Sequence, residues 1–432
     1  MAKYYHLISL GCPKNLIDSE IFAFLTESAN YKPIEDITQA ELIIINTCGF
    51  INDAKEEGIQ TIFEAAKMKE EGKCKTLIVT GCLVKRYFDQ LQADIPEIDI
   101  LVNLKDFKKF AEILGLKDYA YNRRLMTPSH YAYLRISDGC NNNCTYCAIP
   151  LIRGKLTSIP MEEVIAEAKT LAKLGVKEII ITAQDTTQYG KDIYGEYRLI
   201  QLLKKIAEVD GIEWIRLLYL HPAHLTRELI DDIAQIPKIL PYFDIPLQHI
   251  SDKILKRMNR RKFRQHNEEM LDYLLLKMPD AMIRTTFMVG FPGEDRDDYL
   301  ELKKFIAERK FARMGIFIYS SEEDTPAHEF LPEVSRKTAL NRYNKLMMIQ
   351  QDISADIMDT FVDTELACII DKVAEDEDFQ WEGRSWFDAP DVDGNVFIKD
   401  PLGIGKVGDI VIVKVIEAWE YDLVGEIIER KE

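Results

Sequence analysis

At 432 residues the chain is long enough to bury two or three separate cores. With 47% apolar and 29% charged residues, no run of apolar residues long enough to span a bilayer and no charged start leading into an apolar stretch, it reads as a soluble cytoplasmic protein with neither membrane span nor leader. Eight cysteines are too few for a disulfide scaffold, and a net charge of -17 argues against a broad surface for phosphate backbones.

Strand and helix signals alternate over residues 1–119. Apolar runs at 5–10, 42–46, 76–80 and 98–102 are separated by amphipathic stretches such as 51–68, which predicts an open parallel α/β sheet. Ligands of such sheets gather beyond the carboxyl ends of the strands. Cys12 follows the first run in Gly11-Cys12-Pro13-Lys14-Asn15, Cys48 the second in Asn46-Thr47-Cys48-Gly49, and Cys82 the third in Thr80-Gly81-Cys82. Three strands thus each bring a thiol to one rim, beside glycines that let the backbone come close to a bulky ligand. One buried cysteine would be a small apolar core residue. Three in equivalent positions predict a metal cluster with three protein ligands. Cys74 precedes its strand and is expected at the opposite end, and residues 116–127 predict a linker.

A second domain is expected over 126–360. A strand signal at 131–136 runs into Cys140-Asn141-Asn142-Asn143-Cys144-Thr145-Tyr146-Cys147, three thiols at spacing CxxxCxxC. Thiolates this close suit an iron-sulfur cluster, and a 4Fe-4S cubane held by three cysteines keeps one iron open to a small molecule. A zinc ion with a remote fourth ligand is the alternative, although zinc favours CxxC pairs that recur. Further strand signals at 178–183, 214–220, 240–245, 281–289 and 312–319 alternate with helices. The stretch 162–174 shows the type, with acidic residues in its first turn and Gly175 as C-terminal cap. Six such units predict an open or partial (β/α)6 barrel with its active site at the carboxyl rim.

Four segments should lie on that rim: Ala183-Gln184-Asp185-Thr186-Thr187, His221-Pro222-Ala223-His224, Pro246-Leu247-Gln248-His249 and Val289-Gly290-Phe291-Pro292-Gly293-Glu294. Gln184 and Asp185 are candidates for touching substrate, and Gly290 and Gly293 for bringing main chain against a nucleoside-like cofactor. The three histidines read as turn or supporting residues rather than ligands. No nucleophile-base pair is visible.

A helix signal over 335–359 closes this domain. From 361 to 432 the period changes to short β runs at 366–370, 395–398 and 409–418, punctuated by glycines, which predicts a small five-stranded antiparallel barrel of OB-like logic. Such barrels bind single-stranded nucleic acid through basic, aromatic faces. Here Trp381, Trp386, Phe387 and Trp419 are aromatic, but residues 364–432 hold 7 lysines and arginines against 18 acidic residues, so the basic component is missing. Cys368 lies within a strand and reads as core.

The CxxxCxxC loop with Tyr146 before its third cysteine resembles the signature of radical S-adenosylmethionine (SAM) enzymes. The three domains in this order, with all six cysteines, resemble the methylthiotransferases, whose terminal barrel is a TRAM domain. The resemblance implies that Cys12, Cys48 and Cys82 bind an auxiliary 4Fe-4S cluster, and that Cys140, Cys144 and Cys147 bind the SAM cluster, with Tyr146 beside the cofactor. One branch of the family modifies an adenosine in tRNA and the other an aspartate of small-subunit ribosomal protein S-twelve. The segments Tyr146-Cys147-Ala148-Ile149-Pro150-Leu151-Ile152-Arg153-Gly154, Ala183-Gln184-Asp185-Thr186-Thr187-Gln188-Tyr189-Gly190 and Tyr421-Asp422-Leu423-Val424-Gly425-Glu426 look like the ribosomal-protein branch. An acidic barrel also suits a basic protein better than tRNA.

The chemistry so implied uses SAM twice. One molecule methylates sulfide or polysulfide held on the auxiliary cluster. A second is cleaved to a 5'-deoxyadenosyl radical that takes hydrogen from the aspartate β-carbon, because no side-chain base can remove that hydrogen as a proton. The resemblance further implies an electron donor protein, while the sequence, with no coiled coil, predicts a monomer. Two alternatives stay open: methylthiolation of an adenosine derivative in tRNA, and a two-cluster electron-transfer module, which would need four ligands per cluster.

Overall fold

The computed structural model of the chain describes residues 3–118 and 122–431, so the domain limits expected at 1, 119 and 432 lie outside the described residues. The β-branched N-terminal runs form a parallel five-stranded sheet in the spatial order Tyr31–Pro33, Lys3–Ser9, Leu42–Thr47, Thr76–Gly81, Ile100–Leu101. Side chains of the central strands alternate between two faces. Ile43, Ile45, Leu77 and Val79 pack against helices Asn52–Glu71 and Cys82–Asp94, whereas Leu42, Ile44 and Ile78 meet Phe22 of helix Pro13–Ser28 and Phe110 of helix Phe107–Ile113. Each such side chain contributes roughly 1.5–3 kcal/mol by burial. The sheet is therefore a firm base for whatever its carboxyl edge carries.

Two strands depart from the sequence reading. Tyr31–Pro33 is too short to alternate and ends in a proline, which only an edge strand tolerates. The run 98–102 pairs only at Ile100–Leu101, because the Asp99 side chain accepts the Leu77 amide at 2.7 Å where a backbone carbonyl would otherwise stand.

The central region is a parallel six-stranded sheet in sequential order: Tyr131–Arg135, Glu178–Thr182, Trp214–Leu217, Ile239–Asp244, Met282–Val289, Arg313–Ile318. Helices cross between neighbours. In Met161–Lys173, Glu162 and Glu163 occupy the first turn and Val164, Ala168 and Leu171 are buried, so dipole and apolar stripe agree. Ala132, Leu134, Ile179, Ile181, Ile215 and Leu217 face these helices.

The opposite, concave face carries Tyr131, Tyr133, Ile180, Trp214 and Tyr242, and neighbouring domains fill it. Helix Arg336–Asp359 leads into a closed barrel of strands Glu365–Val373, Trp381–Ser385, Val396–Lys399, Leu423–Arg430 and Ile410–Ala418, in that spatial order. All its pairs are antiparallel except Val396–Lys399 with Leu423–Arg430, the one departure from the antiparallel expectation. Cys368 is buried in its core. The seam with the central sheet is ionic. Glu178 binds Arg216 at 2.7 Å and Arg384 at 2.8 Å, Arg384 binds Asp371 at 2.7 Å, and Arg313 binds Asp388 at 2.5 Å. Burial pushes the Glu178 carboxyl up, and Arg384 and Arg216 outweigh it and leave it below its usual range. No helix among the described residues is long and apolar enough to cross a membrane.

Candidate active site

The three N-terminal cysteines stand at the carboxyl ends of adjacent strands, each at a turn from strand to helix. Cys12 is the N-cap of Pro13–Ser28, with Pro13 at the first helical position, where a missing N–H costs nothing. Cys48 directly follows Leu42–Thr47, and Cys82 opens its helix after Gly81. Gly81 has φ +106, and a Cβ there would lie 2.3 Å from the Thr47 carbonyl, so only glycine lets these two turns meet. A Cβ on Gly11 would come 3.0 Å from Cys48 Sγ, which measures how closely the first two turns approach. Asn15 ties them together, donating to the Leu10 and Thr47 carbonyls at 3.0 Å each.

The loop of the central sheet is clamped at its neck. Ser137–Asp138 pairs with Thr157–Ser158, and the Cys140 amide donates to the Gly154 carbonyl at 3.1 Å. Asn143 takes φ +53, the left-handed conformation that asparagine tolerates, and so reverses the chain between Cys140 and Cys144. Tyr146 packs beside Ile254, Met258, Phe291 and Ala327, its ring edge-on to Phe291 at 6.5 Å. Arg260 points a guanidinium nitrogen at Cys144 Sγ, 4.0 Å away.

All six thiols are free. Burial pushes the Cys140 thiol up to about 11 and those of Cys82 and Cys147 up to about 12. Cys12 moves the other way, since Lys14 and Arg153 outweigh its burial and lower its pKa. Thiols held neutral in this way become thiolates on binding a metal, because the cation supplies the missing charge. Cys74 and Cys368 lie buried in other cores, so each group offers three sulfur ligands. Among the described residues, the three metal-competent side chains whose ligand atoms fall within 4.8 Å of one another are Asp185, His221 and His224. Neither cysteine triad closes to that spacing among the described residues.

The two triads are neighbours. Cys82 shares an apolar cluster with Ala148 and Ile152, which follow Cys147. Arg153 then crosses between domains, donating to Asn15 Oδ1 at 2.7 Å, Asp18 Oδ2 at 2.9 Å and Asp138 Oδ2 at 3.2 Å, with Cys82 Sγ at 3.9 Å. Asp18 also accepts from Arg135, and Asp138 from Lys105 at 2.6 Å. Burial would raise the Asp138 carboxyl; Arg153, Arg135 and Lys105 hold it well below the usual carboxylate range.

The remaining predicted residues take distinct positions. Gln184 donates to Asp138 Oδ1 at 2.9 Å, while its Oε1 is buried without a partner, as is His221 Nε2. Such orphaned atoms on the rim suit a polar ligand. Asp185 Oδ2 accepts from Asn142 at 2.7 Å, Gln188 at 2.8 Å and His224 at 3.1 Å, and Oδ1 accepts from Thr187, so both its oxygens are filled. One of these bonds ties it to Asn142 of the cysteine loop. Gly290 and Gly293 have φ +77 and +87, and Cβ atoms there would meet Ala339 at 2.6 Å and Arg257 at 2.8 Å. Helix Arg336–Asp359 and the Arg257 side chain thus pack closely on the two glycines. His221 and His249 each accept the amide two residues on. Sequence reasoning assigned no role to Lys14, Asn15 or Arg153, although all three lie in the quoted motifs; each acts across the domain seam, where local pattern carries no signal.

Residues 134–306 match the radical SAM superfamily, residues 4–103 an uncharacterized protein family, UPF0004, and residues 362–428 a TRAM domain. The chain is 44% identical over 436 residues to ribosomal protein uS12 methylthiotransferase RimO of Thermoanaerobacter sp., covering 97% of this chain and 99% of that one. It is 43% identical to the protein of the same name from Bdellovibrio bacteriovorus, covering 99% and 98%. Among solved structures, the radical SAM methyltransferase TsrM from Kitasatospora setae superposes with TM-score 0.56 at 11% identity, covering 81% of this chain and 89% of that one, a likeness of fold.

Proposed function

Because this chain belongs to the ribosomal protein uS12 methylthiotransferases, within the radical SAM superfamily, we propose that its two cysteine triads hold two 4Fe-4S clusters which together serve methylthiolation of an aspartate of uS12. It is a radical SAM enzyme, with a 4Fe-4S cluster and SAM as cofactors and uS12 as substrate. One observation carries the two-cluster reading: three thiols stand at three adjacent strand ends and three in one loop, and the chain just after that loop packs on the strand-end group through Ala148, Ile152 and Arg153. When bound, the clusters and SAM supply a radical strong enough to take hydrogen from an unactivated carbon, and a sulfur to replace it.

The chain's own residues prepare that chemistry. Cys12, Cys48 and Cys82 hold the auxiliary cluster and Cys140, Cys144 and Cys147 the SAM cluster. Asp185 fixes Asn142 and with it the loop. The orphaned Gln184 Oε1 receives a donor from substrate or SAM, and Tyr146 with Phe291 keeps water from one side of the loop. The Gly290 to Gly293 turn lines the cofactor's side of the rim. Sulfide or polysulfide carried by the auxiliary cluster is the sulfur donor, an electron donor protein is the reductant, and the enzyme works as a monomer in the cytoplasm. The acidic barrel favours the basic ribosomal protein over tRNA.

The test is mass spectrometry of uS12 after anaerobic incubation with reconstituted enzyme, SAM, sulfide and reductant. One methylthio group should appear on an aspartate, and be lost with Cys12→Ala and with Cys140→Ala. Modification of tRNA instead, with uS12 untouched, would overturn the substrate assignment.

A further inference from the structure

Lys14 stands two residues after Cys12, in the first turn of Pro13–Ser28, and is 6% exposed. Among the described residues no carboxylate pairs with it. Its ammonium lies 3.4 Å from the Ala183 carbonyl and 3.7 Å from the centre of the Tyr219 ring. The cations around it are all matched: Arg153 with Asp18 and Asp138, Arg135 with Asp18, Lys105 with Asp138. Apart from the neighbouring Cys12 thiol and Tyr219, both of which favour its charge, nothing anionic stands beside this buried ammonium, and one of its three donors meets a carbonyl at 3.4 Å.

The fold goes to some length to keep it so. Tyr219 has φ +59, a strained conformation for an aromatic residue, held by its amide on Asp244 Oδ2 at 3.0 Å and its carbonyl on the Thr186 amide at 3.1 Å. That strain sets the ring face under the ammonium, where a cation is attracted without being neutralised. Ala183, the other partner, directly precedes Gln184 with its orphaned oxygen. Lys14 therefore stands where the rim of the N-terminal sheet meets the rim of the central one.

We propose that Lys14 receives the side-chain carboxylate of the target aspartate and so selects aspartate over asparagine. The inference rests on the aspartate reading above. The carbon that gains sulfur is bonded directly to the carboxylate carbon, so an ammonium beside Cys12 that holds a carboxylate oxygen fixes the reacting carbon two bonds from that oxygen. A charge-assisted hydrogen bond is lost when a neutral amide replaces the carboxylate, and the buried cation is then left unmatched.

The test compares wild-type, Lys14→Met, Lys14→Gln and Lys14→Arg holoenzymes against uS12 with its target aspartate and against uS12 with asparagine at that position. Affinity is read by fluorescence anisotropy, KM and kcat from methylthio formation, and cluster integrity from iron content and electron paramagnetic resonance. Lys14→Met and Lys14→Gln should weaken binding of the aspartate protein roughly tenfold to a hundredfold. Lys14→Arg should recover most of this. The asparagine protein should bind wild type and the neutral variants alike. A loss of equal size for both proteins, or altered cluster spectra with an unchanged aspartate-to-asparagine ratio, would mean that Lys14 only balances thiolate charge, and the proposal would fall. Wild-type enzyme that neither binds nor modifies uS12 would instead sink the substrate reading, and this proposal with it.

Discussion

The N-terminal triad is gathered from three strand ends by tertiary structure, whereas the loop triad comes from one eight-residue stretch clamped at its neck. Their surroundings differ as much as their origins. Cys12 lies among Lys14, Asn15 and Arg153, and its thiol is lowered, while Cys147 is pushed up to about 12 by burial beside an aromatic wall. A site assembled from distant segments depends on the whole sheet and on charges from a second domain. A site written into one loop needs only its anchors.

The sharpest way to break this comparison is to remove one thiol from each side. Cys12→Ala and Cys140→Ala should both abolish methylthio-uS12 and each lose about half the iron, as two equal clusters require. Only Cys140→Ala should also stop release of 5'-deoxyadenosine from SAM, measured by chromatography. Equal loss of that product in both would mean the triads do not divide the chemistry.

Arg153→Met comes next. It takes one cation from each of two buried carboxylates, which keep Arg135 and Lys105, and should destabilise the protein by roughly 1–3 kcal/mol in denaturant unfolding. The pH dependence follows in sign. Asp138 has a folded pKa below its unfolded value, so its contribution is present above the ordinary carboxylate range and disappears as pH falls through the depressed value. Without Arg153 the folded pKa rises, and stability should begin to fall at higher pH than in wild type.

Gly81→Ala should cost roughly 2–3 kcal/mol, because its Cβ meets backbone. Iron should be lost from the N-terminal triad alone. Gly154→Ala, at φ +79 with open space around it, should cost about 1 kcal/mol and leave both clusters filled. If the two substitutions were equally harmful, tertiary assembly would not be what separates the triads.

Strand ends and thiols were legible in the sequence for a simple reason. Central parallel strands are buried on both faces and read as continuous apolar runs, so Ile43, Ile44 and Ile45 announce their strand and Cys48 its end. What joins the triads was not legible. Arg153 meets Asp18 across the domain seam, and Lys14 differs from any helix-face lysine only by its burial and its lack of a carboxylate partner among the described residues. The rim glycines illustrate the same limit: Gly290 reads as a turn with a free φ, but the Ala339 that packs against it comes from a helix far along the chain. Nor could alternation along Tyr131–Arg135 or Trp214–Leu217 reveal that a later domain covers the concave face.

That covering has a consequence for how the chain holds together. Phe387 and Ala389 share one apolar cluster with Tyr131, Tyr133, Trp214 and Tyr242 of the central sheet, Ile17 of the first helix joins it, and Arg216 donates to the Trp386 carbonyl at 2.9 Å. This face of the central sheet therefore has no core of its own and is completed by side chains from both flanking domains. Cutting the chain between domains would leave large aromatic side chains in water. The three domains should accordingly melt as one cooperative unit rather than one after another.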